Sequence, residues 1–201
     1  MLQNNIISVP AEAISAWSFE VSATWKQKDA LLKQVLTAAK LHSGELVLDL
    51  SCTAGDSSKM LATLSAVEPN PLGGFPGLLR INSVETDLCS TGNGDQLPWS
   101  AESFDTIICL GVFNQLVDQS TFIAEIHRLL SPGGKLIIAD QWFRKAGPMF
   151  ASLLQPYACG SEYRIYSPAL VTKLLKKSGF GLIETLPAGA TNFLCLARAI
   201  K

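Results

Sequence analysis

The residues best suited to chemistry are acids and amides placed where apolar runs end. Leu46-Val-Leu-Asp-Leu-Ser-Cys-Thr-Ala-Gly-Asp56 passes from an apolar stretch into Asp49 and then into small and hydroxylated residues. Val47, Leu48 and Leu50 have the near-continuous apolar character of a parallel strand covered on both faces, while Met60, Leu61 and Leu64 continue at helical spacing. In an open α/β sheet, ligands bind in the crevice outside the carboxyl end of such a strand. Asp49 is therefore expected to face a ligand. Thr106-Ile-Ile-Cys-Leu-Gly111 and Lys135-Leu-Ile-Ile-Ala-Asp140 are further strands aimed at the same crevice. Asn114 and Gln115, just past the first, and Asp140 and Gln141, at the end of the second, are candidates to orient a substrate.

These groups hydrogen-bond and carry charge, but they do not form a nucleophilic set. Neither a Cys-His nor a Ser-His-Asp arrangement is visible, and both the phosphate-cradling G-x-x-x-x-G-K-[ST] loop and the dinucleotide fingerprint are missing. The two histidines fall in a turn before the sheet (His42) and beside the apolar face of a helix (His127), so His127 reads as a packing or surface residue and neither as an obvious base at the crevice. The five cysteines are odd in number, widely spaced and without a C-x-x-C pair. That pattern argues against a disulfide framework or a zinc site and for a reducing compartment.

The elements that must position these residues follow from periodicity. Lys26 to Lys40 reads as a helix with Leu31, Leu32, Val35, Leu36 and Ala39 on one face, and Ala11 to Ala16 as a short helix in an N-terminal arm. A helix from about Asp56 to Val67 gives way to a proline- and glycine-rich loop, Glu68 to Gly77, and then to a strand, Leu78 to Leu88. Ser120 to Leu130 is amphipathic through Phe122, Ile123, Ile126, Leu129 and Leu130. Ser131-Pro-Gly-Gly134 stops it ahead of the Lys135–Asp140 strand. Ser167 reads as an N-cap with Pro168 at the first helical position, and Gly179 as the stop. Phe180 to Leu186 and Asn192 to Ala199 read as a closing strand pair.

At 201 residues the chain suits one α/β domain. A formal net charge of -1 and a pI near 6.1 give no basic field for nucleic acid, which leaves a small molecule as the default partner. Charged residues make up only 16% and mean hydropathy is +0.26, which predicts an apolar face for a partner subunit or a greasy substrate. The N-terminus lacks a basic region followed by a sustained apolar core, and no apolar run reaches about 18 residues. A cytoplasmic protein without a membrane span is the expectation.

The Asp49 segment resembles the first motif of the class I S-adenosylmethionine (SAM) methyltransferases, and the chain is similar to their methyltransferase type 11 branch. Aligned from Asp49, the motif's three glycine positions fall on Ser51, Thr53 and Gly55. The two hydroxylated residues either hydrogen-bond the ligand or cap the following helix. Val84-Glu-Thr-Asp-Leu88 resembles the second motif, with Asp87, or Glu85 in the alternative register, on the ribose hydroxyls. Gly92-Asn-Gly-Asp-Gln-Leu-Pro-Trp, followed by Ser-Phe-Asp105, resembles the stretch that contacts adenine, whose Asp falls on Asn93; Asp95 is the nearby substitute.

The resemblance covers about residues 30–200. It implies a Rossmann-like, doubly wound, mostly parallel sheet of the class I methyltransferase type. It also implies S-adenosylmethionine as cofactor, held by Asp49, Ser51, Cys52, Thr53, Gly55, Asp87, Asn93, Gly94 and Leu110, and no metal. Leu97 comes only ten positions after Asp87, too few for the helix and strand that usually intervene. One edge strand and its helix are therefore expected to be lost, leaving six strands and an edge open to a second copy or a protein partner. In this picture residues 1–201 form a single domain, 1–25 being the N-terminal arm and the aromatic-rich stretch 141–166 either a substrate lid or a helix packed on the sheet. The functional expectation is methyl transfer to a small, apolar molecule. The alternative is a methyltransferase-like, non-catalytic subunit or ligand-binding protein.

Overall fold

The computed structural model describes residues 6–9, 24–42, 44–50, 80–83, 97–116, 118–142, 163–189 and 192–201. In chain order these are β1 (Ile6–Val9), α1 (Thr24–Ala39), β2 (Leu46–Asp49), β3 (Arg80–Ser83), β4 (Phe104–Leu110), a 3-10 turn (Phe113–Gln115), α2 (Gln119–Leu129), β5 (Leu130–Gln141), β6 (Tyr163–Tyr166), α3 (Pro168–Lys177), β7 (Phe180–Ala188) and β8 (Asn192–Ala199).

The main sheet has the order β3-β2-β4-β5-β8-β7. Its first four strands are parallel, and β8 runs antiparallel to both β5 and β7. Among the described residues the sheet has six strands, the number expected from the short Asp87–Leu97 interval, and β3 is one edge of it.

Side-chain alternation divides the core into two layers. Val47, Ile108, Ile137 and Leu194 pack with Val35 and Ala39 of α1. On the other face Leu48, Ile107, Leu136 and Ile138 pack with Phe122, Ile123, Ile126 and Leu129 of α2 and with Val171 and Leu175 of α3. The four α2 residues are fully buried, and each such side chain contributes about 1.5–3 kcal/mol relative to exposure.

Helix ends follow their local chemistry. Asp118, one step earlier than the sequence suggests, caps α2 by accepting from the amides of Ser120 (2.9 Å) and Thr121 (3.2 Å). Ser167 accepts from the Leu170 amide at 3.2 Å, with Pro168 in the first helical position. β5 begins at Leu130 rather than Lys135, because the Leu130 backbone pairs with Phe104 before an irregularity in register admits Ser131–Gly134. Gly134 has no room for a side chain there: a Cβ would lie 2.8 Å from the Ser131 carbonyl oxygen.

A second sheet was not foreseen. β1 pairs antiparallel with β6, Ile6 opposite Tyr166 and Val9 opposite Tyr163. The expected arm and lid therefore meet in a strand pair. The expected helices at Ala11–Ala16 and Asp56–Val67, the Glu68–Gly77 loop and the second-motif residues Val84–Leu88 lie outside the described residues.

Candidate active site

β2, β4 and β5 end side by side. The Leu50 amide donates to the Ile108 carbonyl (2.8 Å) and the Gly111 amide to that of Ala139 (2.9 Å), so the ladders continue one step past β2 and β4. β2 is flanked by β3 on one side and β4 on the other, with β4 and β5 continuing away from it. The carboxyl ends of β2 and β4 thus form the topological switch point at which open α/β sheets bind ligands. Asp49 and Asp140 stand there, each 2% exposed, with Leu110 between them on β4. Alternation places Asp49 with Val47 on the α1 face and Asp140 with Ile138 on the α2 face, one acid on each side of the sheet.

Gly111 turns the chain away from β4 with φ of +67°, and no described atom lies within 4 Å of where its Cβ would be. A side chain would be strained there. Below it, Cys109 is buried; desolvation first, then the charges of Asp49 and Asp140, push its thiol far above the ordinary range. Both carboxylates therefore act on one point, and the thiol is kept protonated and unreactive. Cys195 is pushed up to about 12 by burial alone.

The amide past β4 is linked to the acid near the end of β5. The Asn114 amide donates to Asp140 Oδ2 (3.0 Å) and its Nδ2 to Asp140 Oδ1 (2.8 Å). Asn114 Oδ1 accepts from the Tyr166 amide at 3.1 Å. The Tyr166 hydroxyl donates to Gln119 Oε1 (2.6 Å), while Gln119 Nε2 donates to the carbonyls of Phe113 (3.2 Å) and Leu116 (2.6 Å). Asn114, Asp140, Tyr166 and Gln119 are all buried, which is tolerable only because they are hydrogen-bonded.

The segment that follows the expected adenine loop is held by α2. The Leu97 amide donates to Glu125 Oε1 (2.8 Å), and Arg128 binds both Glu125 and the Trp99 carbonyl (2.9 Å). The Arg128 guanidinium, and secondarily the Leu97 amide, hold the Glu125 carboxyl below its ordinary value despite burial.

Of the residues singled out from sequence, Asp49, Leu110, Asn114 and Asp140 come together at one end of the sheet. Gln115 and Gln141 have backbone positions there, on the 3-10 turn and at the last residue of β5. Ser51, Cys52, Thr53, Gly55, Asp87, Asn93 and Gly94 lie outside the described residues. Tyr166 was read only as one aromatic of the 141–166 stretch, and Gln119, Glu125 and Arg128 were missed. The β-branched run Ile6-Ile-Ser-Val9 was the available signal for the strand that leads to Tyr166.

Both histidines sit at the opposite end. α2 runs back from the carboxyl end of β4, and in its last turn His127 Nε2 lies 3.2 Å from the carbonyls of Gly179 and Ile200, its ring edge-on to Phe180. His42 is exposed in the turn before β2. Among the described residues no group of His, Cys, Asp and Glu is arranged to hold a metal ion, and no helix is long and apolar enough to cross a membrane.

Comparison with known proteins gives this geometry a context. Residues 48–138 match the model of a methyltransferase domain family. A demethylmenaquinone methyltransferase of Listeria monocytogenes serotype 4a (strain HCC23) is 28% identical over 89% of this chain and 87% of its own. A Burkholderia thailandensis 1,6-didemethyltoxoflavin-N1-methyltransferase, solved with 1,6-didemethyltoxoflavin and S-adenosylhomocysteine bound, superposes with a TM-score of 0.58 at 19% identity, covering 93% of this chain and 86% of that one. A chain from the complex between the Haloferax volcanii Trm112 methyltransferase activator and a methyltransferase gives 0.63 at 15% identity over 94% and 97%. At such identities the structural likenesses speak for the fold.

Proposed function

We propose that the chain is a class I S-adenosylmethionine-dependent methyltransferase, and that it methylates a small, apolar acceptor in the crevice where β2 and β4 diverge. The observation that carries the reading is the gathering of Asp49, Leu110, Asn114 and Asp140 at the carboxyl ends of three adjacent parallel strands. We assign cofactor binding to Asp49, Ser51, Cys52, Thr53, Gly55, Asp87, Asn93, Gly94 and Leu110, and acceptor orientation to Gln115, Asp140 and Gln141; Asn114, singled out with them from sequence, is fully buried against Asp140. The buried acid at the end of β2 suits a ligand with hydroxyl and amino donors. An apolar acceptor accords with a mean hydropathy of +0.26 and with the menaquinone precursor named for the Listeria relative.

The cofactor brings a methyl group already activated by its sulfonium. The protein's task is then alignment, which can supply about 7–11 kcal/mol. The strand ends fix the floor of the crevice, and the buried amide network fixes the β5 side of it. A dedicated base is needed only where the acceptor arrives protonated, and both imidazoles are at the far end of the sheet.

Calorimetry with SAM and S-adenosylhomocysteine tests the reading. Micromolar binding, about -8 kcal/mol, is expected; no heat and no thermal shift at millimolar ligand would sink it. We further assign the β3 edge of the described sheet to self-association or to a protein partner. Sedimentation equilibrium that shows a monomer at all concentrations would remove the self-association arm.

A further inference from the structure

We infer that Asn114 is a positioning residue, which by bridging Asp140 to the Tyr166 backbone holds the β1–β6 pair against the carboxyl ends of β4 and β5 and so sets the acceptor side of the crevice. The inference deepens the crevice reading and rests on it. Among the described residues β6 takes β1 as its strand partner and is not laddered to the main sheet. A two-stranded pair is marginal in water on its own and needs something to dock on. Here the docking is polar and specific.

Asn114 grips both oxygens of Asp140, one through its backbone amide and one through Nδ2, which fixes the carboxylate's orientation. Its own Oδ1 then takes the Tyr166 amide, the residue that pairs with Ile6. Tyr166 adds a second tie, its hydroxyl on Gln119 and its ring edge-on to Phe113 at 5.4 Å. Since Asp140 is the penultimate residue of β5 and Phe113 opens the turn after β4, both ties end on the crevice wall. The position of the N-terminal strand is thereby linked to the geometry of the strand ends. Asn114 does this without lying on the β2 side, where Asp49 stands.

Hydrogen exchange read by mass spectrometry on the full chain tests this. In Asn114→Ala the amides of residues 6–9 and 163–166 should exchange roughly five- to thirtyfold faster, the effect of a buried tie lost. Exchange in β2, β4 and β8 should hold, and affinity for S-adenosylhomocysteine should stay within about twofold, well under one decade. A second variant keeps the shape. In Asn114→Asp a protonated carboxyl still donates to Asp140, while an ionised one opposes it. The acid facing this position, Asp140, is of the same sign, and the side chain also meets the Tyr166 backbone amide. The pair should titrate as a unit, with residues 6–9 and 163–166 protected at low pH and released as pH rises through its upper apparent pKa. The wild type should show no such step.

Unchanged exchange in Asn114→Ala, or the absence of a pH step in Asn114→Asp, overturns the inference. So does loosening that spreads through the whole sheet, which marks a core residue. A tenfold or greater loss of S-adenosylhomocysteine affinity also overturns it, by making Asn114 a cofactor ligand. Wild-type protein that binds neither ligand would instead overturn the crevice reading, while the exchange comparison still judges the tie.

Discussion

The two ends of the main sheet handle charge in opposite ways. At the amino end the buried cation is matched: Lys135 Nζ contacts Glu45 Oε1 (2.8 Å) and the carbonyls of Ala39 (2.9 Å) and Lys40 (3.2 Å) that close α1. Glu45 also accepts from Thr106 Oγ1 (3.2 Å), and Asp105 accepts from the Leu46 amide (3.0 Å). At the carboxyl end two buried acids of the same sign act on one thiol, and an amide links one of them to a strand outside the sheet. Opposite charges that close on each other stabilise a fold and offer little to a ligand. Like charges gathered where strands diverge weaken a fold on their own account and are what a binding site requires.

The sharpest way to break this contrast is Lys135→Met. Removing one partner of a mostly buried ion pair leaves Glu45 and the α1 carbonyls without their cation, at a cost of about 3–5 kcal/mol. Urea denaturation should show that loss, with S-adenosylhomocysteine affinity of the folded protein unchanged. A parallel drop in affinity would mean that the two ends are not separate in function.

The reverse experiment is Asp49→Asn. A hydrogen bond to a charged group is worth about 1.5–3 kcal/mol, so S-adenosylhomocysteine affinity should fall roughly ten- to a hundredfold while stability changes less than in Lys135→Met. Unaltered affinity would remove Asp49 from the cofactor set.

The carboxyl end was more legible in the sequence than the amino end. Asp49 and Asp140 stand out because each terminates an apolar run, a pattern visible along the chain. Lys135 and Glu45 look like ordinary polar punctuation, since their pairing depends on α1, β2 and β5 converging. The β1–β6 pair was hidden for the same reason: both strands are four residues long and lie at distant places in the chain. Short apolar runs gain strand character from their partner, and no local pattern names the partner. Ser167, Pro168 and Gly179 were readable because caps and stops act within one turn.

Glu125 offers a smaller effect with a definite pH sign. Arg128 and the Leu97 amide depress its carboxyl below the ordinary 4.5. A group depressed in the folded state stabilises it fully above the unfolded value and loses that contribution as pH falls through the folded one. Since Arg128 is half-exposed, about 1 kcal/mol is expected after screening. Stability between pH 5 and pH 2 should therefore fall less steeply in Glu125→Gln than in the wild type. Identical slopes would show that the clamp on Leu97 does not depend on charge.

The smallest effect concerns the loop that follows Asp49, where Ser51 and Thr53 occupy positions that are glycine in the resembled motif. Glycine suits such a loop because it tolerates positive φ and lets a ligand approach the backbone. A side chain held in a left-handed conformation costs about 1–2 kcal/mol, and part of that cost should appear as weaker cofactor binding. The double variant Ser51→Gly, Thr53→Gly should then bind SAM a few-fold to about tenfold more tightly, one decade corresponding to 1.4 kcal/mol. The opposite sign carries equal information. If the double variant binds more weakly, the two hydroxyls are themselves ligands, and the carboxyl end has exchanged backbone approach for side-chain hydrogen bonds. Calorimetry on the single variants would then assign the loss to one hydroxyl or the other.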